Sequence, residues 1–375
     1  MRLTTLVLRN IFRRRARSVL TITGVAVAVG AMVAVVGIAR GLEQSMLSLF
    51  QDRGVDLVVV RAGGLQGMNS VLDEKLGERI RAVPGVRAVS GGLAQAISFE
   101  DRDLFGVLVR GVPPDSFLLR DLKITSGRRL EPGDGRKALV GKVLAMNLGK
   151  QVGDKFDLVP HEPFEVVGIY ESLNVFENGS MFVPLPELQR IMGQNGEVNA
   201  FTVVTDRSDK QSLEELRSRI KALAPHIEAM PTREYVENTV QIRMAGAAAW
   251  LLSTIILWVA MILVAVTMLT AVFERTRELA VLRAIGWRKS SVIRLILMES
   301  IALGLLGAVV GTLLAVAITR VLGAFTEFGR LVAGHIGVPI MVQGFVIALI
   351  LGVLGGLYPA YRAGQLLPTE GLRHE

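Results

Sequence analysis

Four stretches of this chain run for 20 residues or more without Asp, Glu, Lys or Arg: Ser18 to Ala39, Met244 to Phe273, Ser300 to Thr319, and a fourth within Gly337 to Tyr361. Crossing about 30 Å of hydrocarbon at about 1.5 Å per residue takes about 20 apolar residues, so each qualifies as a membrane span. A length of 375 residues would suggest two soluble domains, but four spans exclude that reading. The composition agrees, with 51% hydrophobic residues and a mean hydropathy of +0.45. The second window, 30 residues long, exceeds what a bilayer needs and is expected to project beyond it as a stalk.

A formal net charge of +8 would point to nucleic acid in a soluble chain. Here it must be read by position, because cytoplasmic flanks of spans hold Lys and Arg in excess. Residues 1–17 carry six arginines (Arg2, Arg9, Arg13, Arg14, Arg15, Arg17) and no acid. Glu274 to Glu299 carries Arg275, Arg277, Arg283, Arg288, Lys289 and Arg294 against Glu274, Glu278 and Glu299. Of the 42 basic and 34 acidic residues, 26 and 28 fall between Arg40 and Arg243, so that segment is −2 and the remainder +10. The charge reports topology: a large outer domain with both termini inside, and no nucleic-acid partner. Cleavage of the first 40 residues as a signal peptide fits less well, since 22 apolar residues exceed the usual h-region of about 7–15.

The expected organisation is a cytoplasmic amphipathic segment over 1–17, span 1 over 18–40 and an extracytoplasmic domain over 41–243. Span 2 with its stalk follows over 244–273, then a cytoplasmic segment over 274–298 and span 3 over 299–320. An outer loop over 321–336, span 4 over 337–361 and a cytoplasmic tail over 362–375 complete it. The outer domain reads as mixed α and β. Asp56 to Arg61 is a short β-branched run, and Leu72 to Val83 has helical spacing with Leu72, Leu76, Ile80 and Val83 on one face. Pro84-Gly85 ends that helix and Val86 starts the next strand. From about residue 97 to 196 short strands alternate with turn clusters such as Pro113-Pro114-Asp115. Phe201 to Thr205 and the amphipathic Leu213 to Leu223 then restore strand-plus-helix character. The fold class is thus an integral membrane α-helical protein of four transmembrane helices with a large α+β extracytoplasmic domain. That domain divides into an α+β subdomain (41–96 and 197–240) and an inserted β-rich subdomain (97–196).

With no cysteine, disulfides, thiolate metal sites and cysteine nucleophiles are excluded. Four scattered histidines leave no metal-ligand spacing, and His161-Glu162-Pro163 reads as a turn without an HExxH partner. A P-loop needs four residues between its Gly and Gly-Lys-Ser/Thr, whereas Gly135 to Lys142 has five and is followed by Val143. No Asp, Glu, Lys or Arg lies in the middle of a span, which counts against an ion-coupled carrier or channel. Glu299 and Arg320 bracket span 3 and are expected to snorkel to the interface. Asn178-Gly179-Ser180 matches a glycosylation sequon too short to carry weight.

Three segments carry a resemblance. Phe273 to Ser300 (FERTRELAVLRAIGWRKSSVIRLILMES) is similar to the second cytoplasmic segment of FtsX/MacB-type ABC transporter permeases, and Tyr358 to Glu375 (YPAYRAGQLLPTEGLRHE) to their C-terminal ending. Gly141 to Glu171 resembles the MacB-like periplasmic core domain. The resemblance implies a permease of the bacterial cytoplasmic (inner) membrane that pairs with a second permease copy or a homologous permease. It also implies a separate cytoplasmic ABC ATPase subunit as the driver. This chain would then hold no cofactor, ATP being bound by the partner, and would be non-catalytic. A periplasmic adaptor protein and membrane lipid are the remaining partners it suggests.

Elementary chemistry supports a force-transmitting role for the cytoplasmic segment. Its first turns are helix formers, Glu274 and Arg277 are spaced as an i,i+3 pair, and Leu279, Leu282 and Ile285 form an apolar stripe that Gly286 ends. A short amphipathic helix between two spans suits docking against a partner; the competing role is to lie on anionic lipid. The expected ATPase-coupling residues are Glu274, Arg275, Arg277, Glu278, Leu282, Arg283 and Ile285. Ionised groups there set register, while Leu282 and Ile285 supply buried area. Small residues recur four apart at Ala26, Gly30 and Ala34, at Gly307 and Gly311, and at Gly352 and Gly356. Such faces let helix backbones approach closely, so they are expected to pack helix on helix. Two functions of different class remain. One is a mechanotransmission permease for export or extraction at the outer face; the other is a membrane-anchored receptor or assembly scaffold without transport, such as an FtsX-like regulator of cell-wall enzymes.

Overall fold

The computed structural model describes residues 10, 13, 15–63, 71–172, 174–325 and 337–366. Most of the N-terminal amphipathic segment, much of the expected outer loop with His335, and the tail after Leu366 lie outside the described residues. The chain divides into two compact units, Met1–Gly41 with Ala245–Glu375, and Leu42–Met244.

The elements in chain order begin with helix α1 (Arg15–Gln51), β1 (Leu57–Arg61), β2 (Leu72–Asp73), α2 (Leu76–Arg81), β3 (Val86–Phe99) and β4 (Leu104–Val112). Next come β5 (Lys123–Gly127), β6 (Lys137–Gly141), α3 (Lys142–Leu148), β7 (Lys155–Val159), β8 (Glu162–Glu171), α4 (Val175–Asn178) and β9 (Met181–Pro184). The remainder of the outer unit is α5 (Leu185–Met192), β10 (Glu197–Val198), β11 (Ala200–Thr205), α6 (Lys210–Lys221), β12 (Ile227–Pro231) and α7 (Thr232–Asn238). The chain then runs through α8 (Val240–Glu274), α9 (Thr276–Ala284), α10 (Lys289–Phe325) and α11 (Val338–Gln365).

In the outer unit one twisted sheet runs β12-β1-β11-β3-β4-β9-β6-β8-β5, with β7 also paired to β8. Strand β3 is the seam: Val86 to Gly92 pair with β11, and Leu93 to Phe99 pair with β4. The segments expected to form the α+β part and the inserted β-rich part therefore meet in one strand, which carries a separate ladder on each half. Both faces of the sheet are covered, which explains why Leu57 to Val60 is apolar without alternation. Leu57 and Val59 enter one core and Val58 and Val60 the other. Ala138 and Val140 against Leu139, and Met181 and Val183 against Phe182, repeat that split along β6 and β9.

One expected helix is shorter than its spacing suggested. Leu72 and Asp73 are strand, paired antiparallel to Val198 and Glu197, and the helix begins only at Leu76. Asp73 Oδ1 accepts from Lys75 N at 2.9 Å, a local turn that competes with helix, while Leu72 still reaches the core that Leu76, Ile80 and Val83 enter. His161, in the β7–β8 hairpin, adopts a left-handed φ of 67°, as a tight turn demands.

Among the described residues, four helices are long and apolar enough to cross a membrane: Arg15–Gln51, Val240–Glu274, Lys289–Val321 and Val338–Gln365. At about 1.5 Å per residue, the 37 residues of α1 and 35 of α8 greatly exceed a bilayer's core, so both helices continue past their spans. The membrane unit is packed around Val25, Val29 and Val33 of α1, Val264, Met268 and Val272 of α8, Leu295 and Leu303 of α10, and Ala348 and Ala360 of α11. Leu251, Trp258, Ile262, Leu313 and Leu349 stay exposed, as side chains that face lipid do.

Candidate functional site

Helix α8 ends at Glu274, where Arg275 leaves helical geometry at φ −115° and ψ 15° and starts a new helix, α9. Gly286 at φ 101° then turns the chain, and α10 begins at Lys289. The segment expected over 274–298 is thus a nine-residue helix between two corners, and its last residues, 289–298, are the first turns of the next long apolar helix. Leu279 and Ala280 are buried in the bundle, and Leu282 and Trp287 pack against it. The opposite face presents Arg277, Val281 and Ile285, the last 74% exposed, with Arg288 beyond the corner.

Beneath α9 lies a chain of ion pairs. Glu299, 1% exposed, accepts from Arg275 Nη1 at 3.1 Å and from Arg17 Nη2 at 3.3 Å. Arg17 Nη1 also reaches Glu274 at 3.3 Å, and Arg275 Nε reaches Glu278 at 3.3 Å, with Arg13 3.8 Å from the far oxygen of Glu278. Among the described residues, three arginines meet three glutamates. The cluster ties α1, the end of α8, α9 and α10 together. A carboxylate buried between two guanidiniums is held by both, and removing any member leaves a charge in a poor solvent.

Several expected site residues therefore have different roles from those their spacing suggested. No Glu274–Arg277 pair forms; Glu274 turns to Arg17, and the i,i+3 pair is Arg275 with Glu278. Arg275 is 8% exposed and committed to Glu299, so its guanidinium faces into the bundle. Arg283 donates to Trp287 O at 3.1 Å and closes the corner. Glu299 does not snorkel: it lies ten residues into α10 because Arg17 and Arg275 meet it there. Sequence reasoning passed over Arg17 and Glu299 as flanking charges. The available signal was that each is the last charge before an apolar window, with opposite signs.

The small-residue stripes sit inside the unit. A Cβ on Gly30 would lie 2.9 Å from Gly311 O, and one on Gly311 would run into Ala26 O, so α1 and α10 touch backbone to backbone. Gly307 lies under Val25, Gly352 against Ile301 and Gly356 against Ser300, whose hydroxyl donates to Gly352 O at 2.7 Å. Ala34 is half-buried one turn further along α1.

Two families match this chain: the MacB-like periplasmic core domain over residues 18–223 and the FtsX-like permease C-terminal over residues 250–368. The chain belongs to the MacB/FtsX family of ABC transporter permeases. Among relatives, the uncharacterized ABC transporter permease YknZ of Bacillus subtilis is 23% identical, covering 98% of both chains. Macrolide export ATP-binding/permease protein MacB 2 of Aeromonas hydrophila is 25% identical over 98% of this chain and 60% of its own length. The periplasmic region of MacB from Actinobacillus actinomycetemcomitans overlays 50% of this chain and 95% of its own at 14% identity, with a TM-score of 0.39.

Proposed function

We propose that the chain is a non-catalytic permease subunit that acts as a dimer. A separate cytoplasmic ABC ATPase hydrolyses ATP, and the resulting movement is passed through the spans to the outer domain, which exports or extracts a substrate at the outer face of the membrane. Residues 1–17, 274–298 and 362–375 are cytoplasmic in this reading. ATP-binding, part of the printed name of the Aeromonas relative, is here the partner's task.

One observation carries the reading: α9 has an exposed docking face and a reverse face locked to three other helices. A push on Arg277, Val281 and Ile285 is delivered through Arg275 to Glu299 on α10 and through Glu299 to Arg17 on α1. An amphipathic helix that merely rested on lipid would need no buried ionic joint on its inner side. Co-expression with a candidate ATPase tests this. A stoichiometric complex is expected, with ATP turnover lowered at least fivefold by Arg277→Glu with Ile285→Asp. Stable protein that recruits no ATPase would favour the receptor or scaffold reading.

A further inference from the structure

A second buried ionic joint lies wholly within the outer unit, where the far end of α1 meets the inserted β-rich part. Arg53 follows the last turn of α1, and its side chain is 7% exposed. Its Nη1 donates back to Leu49 O at 2.7 Å, its Nε to Leu118 O at 2.9 Å, and its Nη2 to Glu177 Oε1. One guanidinium thus spans the helix end, the 3-10 turn at Phe117–Leu119 and helix α4. Glu177, 4% exposed, is shared with Arg110 of β4 at 3.8 Å, and Arg110 lies over the Phe182 ring at 5.1 Å. Asn174 adds a second fastening: its Nδ2 donates to Ser45 O and to Ser48 Oγ, both on α1, while its Oδ1 accepts from Phe176 N at 2.9 Å. Tyr170 holds the far side, donating to Glu177 O at 2.6 Å; burial pushes its hydroxyl well above the ordinary phenol range, so it stays protonated.

We infer that Arg53 is a positioning residue that bolts the outer end of α1 to the insertion, so that residues 45–53 and 174–180 move as one body and a displacement of span 1 reaches the insertion without slip. The inference rests on the transmission reading above, but the bolt itself can be tested without ATP. Planar donation from three separate nitrogens is specific to arginine, since the single nitrogen of an ammonium cannot reach three acceptors spread along the guanidinium edge. Arg53→Lys should therefore retain the fold and lose part of the coupling, while Arg53→Met loses most of it.

The full chain in lipid nanodiscs supplies the first measurement. Hydrogen exchange at 45–53 and at 174–180 should rise together, roughly tenfold in Arg53→Met and less in Arg53→Lys, with β1 and β11 unchanged as a check on folding. A rise in only one of the two segments overturns the bolt. The second measurement adds the co-purified ATPase and reads the ATP-dependent change in exchange over residues 104–112. Arg53→Met should shrink that change at least fivefold. Because the native chain has no cysteine, Ser48→Cys with Asn174→Cys can be joined by a short, reducible bis-thiosulfonate cross-link verified by mass, and once formed it should restore the change in Arg53→Met and lose it again on reduction. A change that survives Arg53→Met, or that the verified cross-link fails to restore, refutes the inference. If unaltered protein shows the two segments exchanging as one yet no ATP-dependent change, the transmission reading fails while the bolt stands as structure.

Discussion

Replacing Glu299 with Ala is the sharpest perturbation of the ionic joint under α9. The carboxylate sits 3.1 Å from Arg275 and 3.3 Å from Arg17, and its own side chain is 1% exposed. At an effective dielectric of about 20, each contact is worth about 5 kcal/mol of gross attraction, most of it offset by the cost of taking the ions out of water. Removing one partner exposes that offset and costs about 3–5 kcal/mol where the remaining charges stay buried. Arg17 keeps Glu274 and Arg275 keeps Glu278, so the lower end, about 3 kcal/mol, applies. For a unit of this size the thermal midpoint should fall by roughly 6–12 °C. All three tryptophans, Trp250, Trp258 and Trp287, lie in the membrane unit, so their fluorescence during heating in detergent reports that unit alone. Adding Arg275→Met should recover at least about 1 kcal/mol, because it removes one of the two stranded charges. A midpoint within about 2 °C of wild type for the single variant, or strict additivity in the double, would refute the buried-joint argument.

Gly311→Leu should lower the same midpoint by the equivalent of about 1–3 kcal/mol through its clash with the Ala26 backbone. Gly246→Ala, which meets only open space in α8, should leave it unchanged or raise it by the equivalent of up to about 1 kcal/mol. In the outer domain the Arg128 guanidinium holds the Asp134 carboxyl well below the usual carboxylate range. A depressed carboxyl stabilises above its unfolded value of about 3.9 and loses that contribution as pH falls. The midpoint difference between wild type and Asp134→Asn, followed by circular dichroism, should therefore be full near neutral pH and shrink below about pH 4; growth on acidification contradicts it. For topology, single cysteines at Phe105 and Ser290, both exposed, should label from opposite sides of the membrane. Ser116 is a poor site, being 7% exposed and bonded to Ser90.

The spans were legible because a membrane helix declares itself by the absence of charge over a fixed length, and Ser18 to Ala39 needs no knowledge of its neighbours. The strand within Asp56 to Arg61 was equally plain from its run of three valines, Val58 to Val60. Helical spacing at Leu72 misled because Asp73 and the pairing of Leu72 with Val198 are a local turn and a long-range contact, and neither leaves a periodic trace. The same limit hid the ionic joints. Arg17 and Glu299 are 282 positions apart, Arg53 and Glu177 are 124 apart, and only the fold brings each pair together. Helix α9 could be located from its amphipathic spacing, but which of its charges face outward could not, since Arg275 and Arg277 differ only by the turn that Arg275 opens.

The central claim is that α9 receives work from an ATPase and delivers it through Glu299. The most direct measurement is the ATP-dependent change in hydrogen exchange of the outer domain in the reconstituted complex, with its subunit composition, compared for wild type, Arg277→Glu with Ile285→Asp, and Glu299→Gln. The account expects the outer-face variant to lose the ATPase from the complex. It expects Glu299→Gln to keep the ATPase bound while the ATP-dependent change in hydrogen exchange of the outer domain falls at least fivefold. An unaltered exchange response in Glu299→Gln, with the complex intact, would contradict it.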